Sequence, residues 1–265
     1  MDLILLFKAF ILGIVEGATE FLPISSTGHL IIVGDLLNFN DDKGKVFEII
    51  IQLGAILAVC FEFRNRLINT ITHIKNDASA QGFVLNLIIA FIPAALLGLV
   101  FHGYIKEYLF SPISVAIALI IGGFAILYIE KFTKHASTQQ IEAISRKQAL
   151  QIGLAQSLAL IPGVSRAGAT ILGGMVFGLT RQTATEFSFF LAIPIMFAAT
   201  GYDVLKSWHL LNMADFPMFA VGFVTAFFSA LLVIKVLIKY VANHDFTGFA
   251  WYRIIFGTVV LAYFW

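Results

Sequence analysis

The sequence predicts an all-α polytopic membrane protein: six transmembrane helices plus two re-entrant helical hairpins, arranged as an inverted-topology internal repeat within one integral membrane domain (1–265). Three observations predict it. Hydrophobic residues make up 59% of the chain and charged residues 12%, with a mean hydropathy of +0.91; an average soluble domain is about 45–50% apolar and 25% charged. Six runs, 45–63, 82–102, 112–130, 185–205, 216–238 and 248–265, are each apolar over the roughly 17–25 residues that a spanning helix needs. Two further regions, 1–37 and 148–177, are long enough for more than one pass, yet each is broken at its centre by proline, glycine and polar residues. Irregular backbone at membrane depth is tolerated only where it is buried in protein or lines a cavity, so the broken pair is read as hairpins that meet near the midplane.

The first broken region carries the densest chemistry. Glu16, Thr19, Glu20, Ser25, Ser26, Thr27 and His29 lie between the apolar flanks 3–12 and 30–33. An ionisable side chain at this depth is disfavoured by about 2.5–3.5 kcal/mol even on the mildest scale, which makes such a cluster a functional-site hypothesis. Glu16 and Glu20 are four apart and share a helix face, Pro23 should end that helix, and Ser25-Ser26-Thr27-Gly28 follows as a turn rich in hydroxyl and N–H donors.

The second broken region reads as a diverged copy of the first. Laid over it, Gly13 falls on Gly153, Glu16 on Gln156, Ser25 on Ser165 and Gly28 on Gly168; the second copy lacks the carboxylates and gains Arg166. Glu48 with Leu53, and Glu186 with Leu191, follow their copies in the same order. Several echoes in one order predict a duplication, with repeat 1 at about 1–131 and repeat 2 at about 145–265.

Charge sets the orientation. Arg64, Arg66 and Lys75, then Lys131, Lys134, Arg146 and Lys147, then Arg181, Lys235 and Lys239 fall on one side, the cytoplasmic one by the positive-inside rule. Arg253, just inside the last run, is expected to snorkel to that interface. On this arrangement the first hairpin enters and leaves from outside, the second from the cytoplasm. A net charge of +1 gives no basic stripe for nucleic acid. The lone Cys60 is expected to be a packing residue, and no removable signal peptide is expected.

Together the two broken regions hold what a phosphorylated ligand requires. Gly163, Ser165 and Gly168 around a helix start would offer N–H groups to a phosphate, and Arg166 a planar fork of donors; its alternative is a salt bridge to Glu16 or Glu20. Two carboxylates at this depth call for a cation between them, so Glu16 and Glu20 are candidate ligands of a divalent Mg²⁺ or Ca²⁺. Ser25, Ser26 and Thr27 could bind phosphate or cap the following helix; Ser26 is a candidate nucleophile with His29 as its base, His29 itself or an activated water is the alternative nucleophile, and His29 could instead be a satisfied buried histidine.

The stretches Glu-Gly-Ala-Thr-Glu-Phe-Leu-Pro-Ile-Ser-Ser-Thr-Gly-His at 16–29 and Pro-Gly-Val-Ser-Arg-Ala-Gly-Ala-Thr at 162–170 resemble the two signature motifs of the undecaprenyl-diphosphate phosphatase family, the bacitracin-resistance membrane phosphatases. The resemblance implies a hydrolase that converts undecaprenyl diphosphate to the monophosphate carrier lipid of cell-wall synthesis. It further implies a divalent cation, a multi-pass position in the bacterial cytoplasmic membrane, and a site opening to the extracytoplasmic face. Its catalytic roles fall on Glu16, Glu20, Ser26, His29 and Arg166, with Ser25 and Thr27 in support. The rival expectation is a lipid flippase or secondary transporter, since inverted repeats with broken helices are also transporter architecture. Oligomeric state, including a homodimer, is left open.

Overall fold

The computed structural model describes residues 3–39, 42–133, 136–207 and 213–265. Eleven α-helices are found there: α1 (Leu3–Thr19), α2 (Ser26–Leu36), α3 (Asp42–Glu62), α4 (Arg64–His73), α5 (Ala78–Tyr108), α6 (Pro112–Phe132), α7 (Arg146–Gln156), α8 (Arg166–Val176), α9 (Arg181–Ser207), α10 (Phe216–Val241) and α11 (Thr247–Phe264). Among the described residues there is no β-strand beyond one isolated bridge, Thr138 to Leu179.

The helix starts follow local chemistry. Asp77 accepts from the Ser79 N–H ahead of α5, Ser111 accepts from the Ser114 N–H with Pro112 in the first turn of α6, and Ser145 with Gln148 forms a capping box at α7. Five helices, α5, α6, α9, α10 and α11, are long and apolar enough to cross a membrane; α3 with α4 makes a sixth if the pair, bent by 71°, is one span. This is a multi-pass membrane protein. All six expected runs fall on these helices. The positively charged segment after the first run is itself a helix, α4, none of whose residues is buried. Lys134, the start of the chain and part of the link 38–44 lie outside the described residues.

Large apolar side chains are found on both sides of these helices. Leu99, Ile121, Phe124, Leu232 and Ile255 point outward, as a hydrocarbon solvent favours, while Phe21, Phe187, Phe189 and Phe190 fill the interior. Where helices meet, small residues let backbones approach. A Cβ on Gly13 of α1 would stand 2.5 Å from the Gly222 carbonyl oxygen in α10, and one on Gly153 of α7 would stand 2.5 Å from the Ala90 carbonyl oxygen in α5.

Ion pairs gather the ends that the charge count placed on one side. Arg66 of α4 bonds Glu142 and, at 3.0 Å, Glu186 of α9; Arg181 of α9 bonds Glu130 of α6; Lys235 of α10 lies 3.6 Å from Glu62 of α3. Glu186 is thus an ion-pair partner of Arg66. Arg253 does not snorkel. It is 1% exposed, deep inside the bundle, and its donors are taken up there by backbone carbonyls.

Candidate active site

The two broken regions fold as helix, turn, helix. α1 ends at Thr19, four residues before Pro23, so Glu20 sits in the turn; its N–H still bonds the Glu16 carbonyl at 2.9 Å, which keeps the two carboxylates one helical turn apart. α2 starts at Ser26 behind Ser25, whose φ is 70°, and α8 starts at Arg166 behind Ser165, whose φ is 76°. Positive φ is uncommon for a residue with a Cβ and costs on the order of 1–3 kcal/mol, so both serines are held in place by what surrounds them.

Arg253 of α11 does much of that holding. Its guanidinium donates to Pro23 O at 3.0 Å in the first turn, to Gly163 O and Val164 O at 3.0 Å each in the second, and to Leu119 O and Ala118 O at 3.2 and 3.1 Å in α6. Five carbonyl dipoles satisfy one buried cation, and the two turns are fixed against each other as a result. Ser165 Oγ adds a longer bond, 3.4 Å, to Leu22 O.

A cavity of about 270 Å³ opens between the turns and is closed by α3, α5 and α9; Glu20, Ser26, Arg166, Gln52, Gln156 and Met196 are among its lining residues. On its wall the Glu20 carboxylate accepts from Ser26 Oγ at 2.5 Å and from Arg166 Nη2 at 3.0 Å. The alternative reading of Arg166, a salt bridge to Glu20, is therefore realised, but inside a cavity and with its Nε left without a partner. Arg166 also donates to Ser188 O at 3.2 Å and lies over the Phe21 ring. Such a planar fork, with only part of its donors engaged, suits the paired oxygens of a phosphate or carboxylate.

The other expected residues divide. Ser25, Thr27, Gly163 and Ser165 line the cavity. Gly168 does not, and its N–H is already used by the Ser165 side chain at 3.0 Å, so it is a capping partner and not a free phosphate donor. Glu16 is fully buried, with neither carboxylate oxygen hydrogen-bonded. His29 turns toward α11: Nδ1 meets Ser25 O at 2.7 Å, Nε2 meets the Tyr252 hydroxyl at 2.6 Å, and the ring stacks on Phe256. Both ring nitrogens are thereby engaged away from Ser26, whose hydroxyl points to Glu20. The structure brings Ser26, Glu20 and Arg166 together and leaves His29 as a neighbour that ties α2 to α11.

The residues fit a hard divalent cation by chemistry. Among the described residues no three His, Cys, Asp or Glu side chains form a cluster. Mg²⁺ commonly takes only one or two carboxylates and completes its shell with water and phosphate oxygens. Glu16 offers two unbonded oxygens, and Glu20 has lone pairs left beyond its two bonds.

The sequence reading missed Arg253, Tyr252, Gln52 and Gln156 as parts of this centre. Only Gln156 left a signal, its place opposite Glu16 in the second copy.

The model of the family described as bacitracin resistance protein BacA matches residues 9–259. The chain belongs to the BacA family. The undecaprenyl-diphosphatase of Methylobacillus flagellatus is 66% identical over 270 residues, covering all of both chains. That of Nitrosospira multiformis is 60% identical over 98% of this chain and 96% of its own, and that of Nitrosomonas europaea 61% identical over 98% and 95%.

Proposed function

We infer that this BacA-family chain is an undecaprenyl-diphosphatase, hydrolysing undecaprenyl diphosphate to undecaprenyl phosphate and phosphate, with bacitracin resistance as the consequence. The single observation that carries the site assignment is the Glu20 carboxylate held at once by the Ser26 hydroxyl and the Arg166 guanidinium inside the cavity. Ser26 Oγ attacks the terminal phosphorus and its proton passes to Glu20 Oε2. The bond from that phosphorus to the bridging oxygen breaks, undecaprenyl phosphate leaves, and water then cleaves the phosphoserine. Arg166 stabilises charge on the phosphoryl oxygens. His29 holds the Ser25 carbonyl, and through it the start of α2. A Mg²⁺ or Ca²⁺ held by Glu16 and Glu20 would supply Lewis-acid charge neutralisation on the diphosphate.

The inverted repeat belongs to the same proposal. Ser25 and Ser165, and Asn38 (φ 50°) and Gly178 (φ 92°), are positive-φ pairs at equal separation. The bonds Phe39 N to Gly34 O and Leu179 N to Gly174 O match at that separation too. α1 packs on α10 and α7 on α5, the exchange of halves that a pseudo-two-fold axis produces. Helices α2, α7 and α8, at 11 residues each, reach only about 17 Å, short of the roughly 30 Å hydrocarbon core, as re-entrant elements do. With the ion-paired ends inside, the first hairpin would open to the extracytoplasmic face of the cytoplasmic membrane.

Phosphate release from undecaprenyl diphosphate by pure protein in detergent tests this reading. No second compartment exists there, so release excludes pure transport, and its absence with intact protein would favour the flippase. Ser26→Ala should abolish release, and any trapped intermediate should be acid-stable phosphoserine.

A further inference from the structure

Gln156 is the last residue of α7, lines the cavity and is 2% exposed, yet neither its amide nitrogen nor its amide oxygen has a hydrogen-bond partner. A buried carboxamide that meets nothing is rare and calls for an explanation. Nothing else at this position provides one: the neighbouring Ser157 hydroxyl turns back to Gly153 O at 3.1 Å. The other orphaned donor at the cavity wall is Arg166 Nε, at the start of the helix that follows the same break.

We propose that Gln156 is a substrate-contacting residue whose amide N–H groups bind a phosphate oxygen of the diphosphate, alongside the Arg166 guanidinium. The assignment rests on the diphosphatase reading and extends it to a residue outside both signature motifs. A carboxamide suits the position for a physical reason. Glu20 already places negative charge in the cavity, and Glu16, the repeat counterpart of Gln156, is a carboxylate too; a further acceptor-only group facing the diphosphate would repel it. An amide gives two neutral donors to an acceptor-only ligand and keeps an oxygen for a water or a phosphate hydroxyl.

The test is kinetic and thermodynamic together, on detergent-purified full chain. Gln156→Leu should lower kcat/KM about 10- to 100-fold, chiefly through KM, as expected for one lost hydrogen bond to a charged group. Its melting temperature should hold or rise, because an apolar side chain replaces an unmet amide, and the thermal shift induced by inorganic pyrophosphate should shrink. Gln156→Glu, equal in shape, should lose the pyrophosphate shift altogether. Wild-type kcat/KM in Gln156→Leu, or a lower melting temperature with the pyrophosphate shift intact, would overturn the assignment. Should Gln156→Leu not fold, an undiminished shift in Gln156→Glu overturns it equally. A wild-type protein that shows a Gln156-dependent pyrophosphate shift but cleaves no lipid diphosphate would sink the diphosphatase reading, and the substrate role with it, leaving Gln156 only as a diphosphate-binding residue.

Discussion

Replacing Arg253 by methionine keeps an apolar chain of similar reach and deletes all five of its hydrogen bonds. Two of the acceptors, Ala118 O and Leu119 O, lie within α6, where the helix ladder also serves them. The other three, Pro23 O, Gly163 O and Val164 O, lie in the turns outside any helix and become the orphans. At about 1–3 kcal/mol for each buried acceptor left unmet, the loss is about 3–9 kcal/mol. Typical net stabilities are about 5–15 kcal/mol, so Arg253→Met should fold poorly or melt many degrees lower. Whatever folds should turn over little, because Ser26 and Arg166 directly follow the two turns that Arg253 joins. Arg253→Lys, with three donors on one nitrogen in place of five on a planar fork, should be intermediate in stability and still impaired. Thermal unfolding in detergent, paired with phosphate release per folded molecule, reads both effects. An Arg253→Met protein with wild-type melting temperature and turnover would show that the turns hold their places without the clamp.

Gly122→Ala should reproduce the Arg253 phenotype, since its Cβ would stand 2.0 Å from Arg253 Nη2 and the guanidinium is tethered on every side; normal melting and turnover in that variant would count against the clamp geometry. Arg166→Lys should lose most of kcat/KM, because a point charge cannot serve Glu20, Ser188 O and a phosphate as a fork does; near-wild-type turnover would reduce Arg166 to bulk charge. Tyr252→Phe removes the partner of His29 Nε2 and should cost about 1 kcal/mol of stability with kcat kept within a few-fold; a loss as deep as that of Ser26→Ala would put the His29–Tyr252 pair in the proton path. Glu16→Gln should abolish the response of phosphate release to added Mg²⁺ while leaving the melting temperature of the metal-free protein unchanged or higher; wild-type metal response in that variant would remove Glu16 from the cation site.

Hydropathy and breaks in it determined the spanning helices, because lipid imposes one rule on every residue of a span: apolar side chains outward, backbone bonds satisfied within the helix. That Glu20, Ser26 and Arg166 were candidates for one site was legible for a related reason, since polar groups at bilayer depth are costly, and the structure brings the three side chains together. Motif spacing could not tell which way each side chain turns. His29, three residues after Ser26, belongs by sequence to a nucleophile–base pair, yet α2 begins at Ser26 and its first turn carries the imidazole round to Tyr252. The proton of Ser26 is directed to Glu20 by the turn at 20–25, whose path depends on a carbonyl bond from Arg253, over 200 residues away in the chain. By sequence Arg253 is a cation near the end of a span, for which snorkelling is the cheapest solution. Only the tertiary structure supplies the better one, because five carbonyls from three segments converge there, and such convergence is a property of packing that no local pattern encodes.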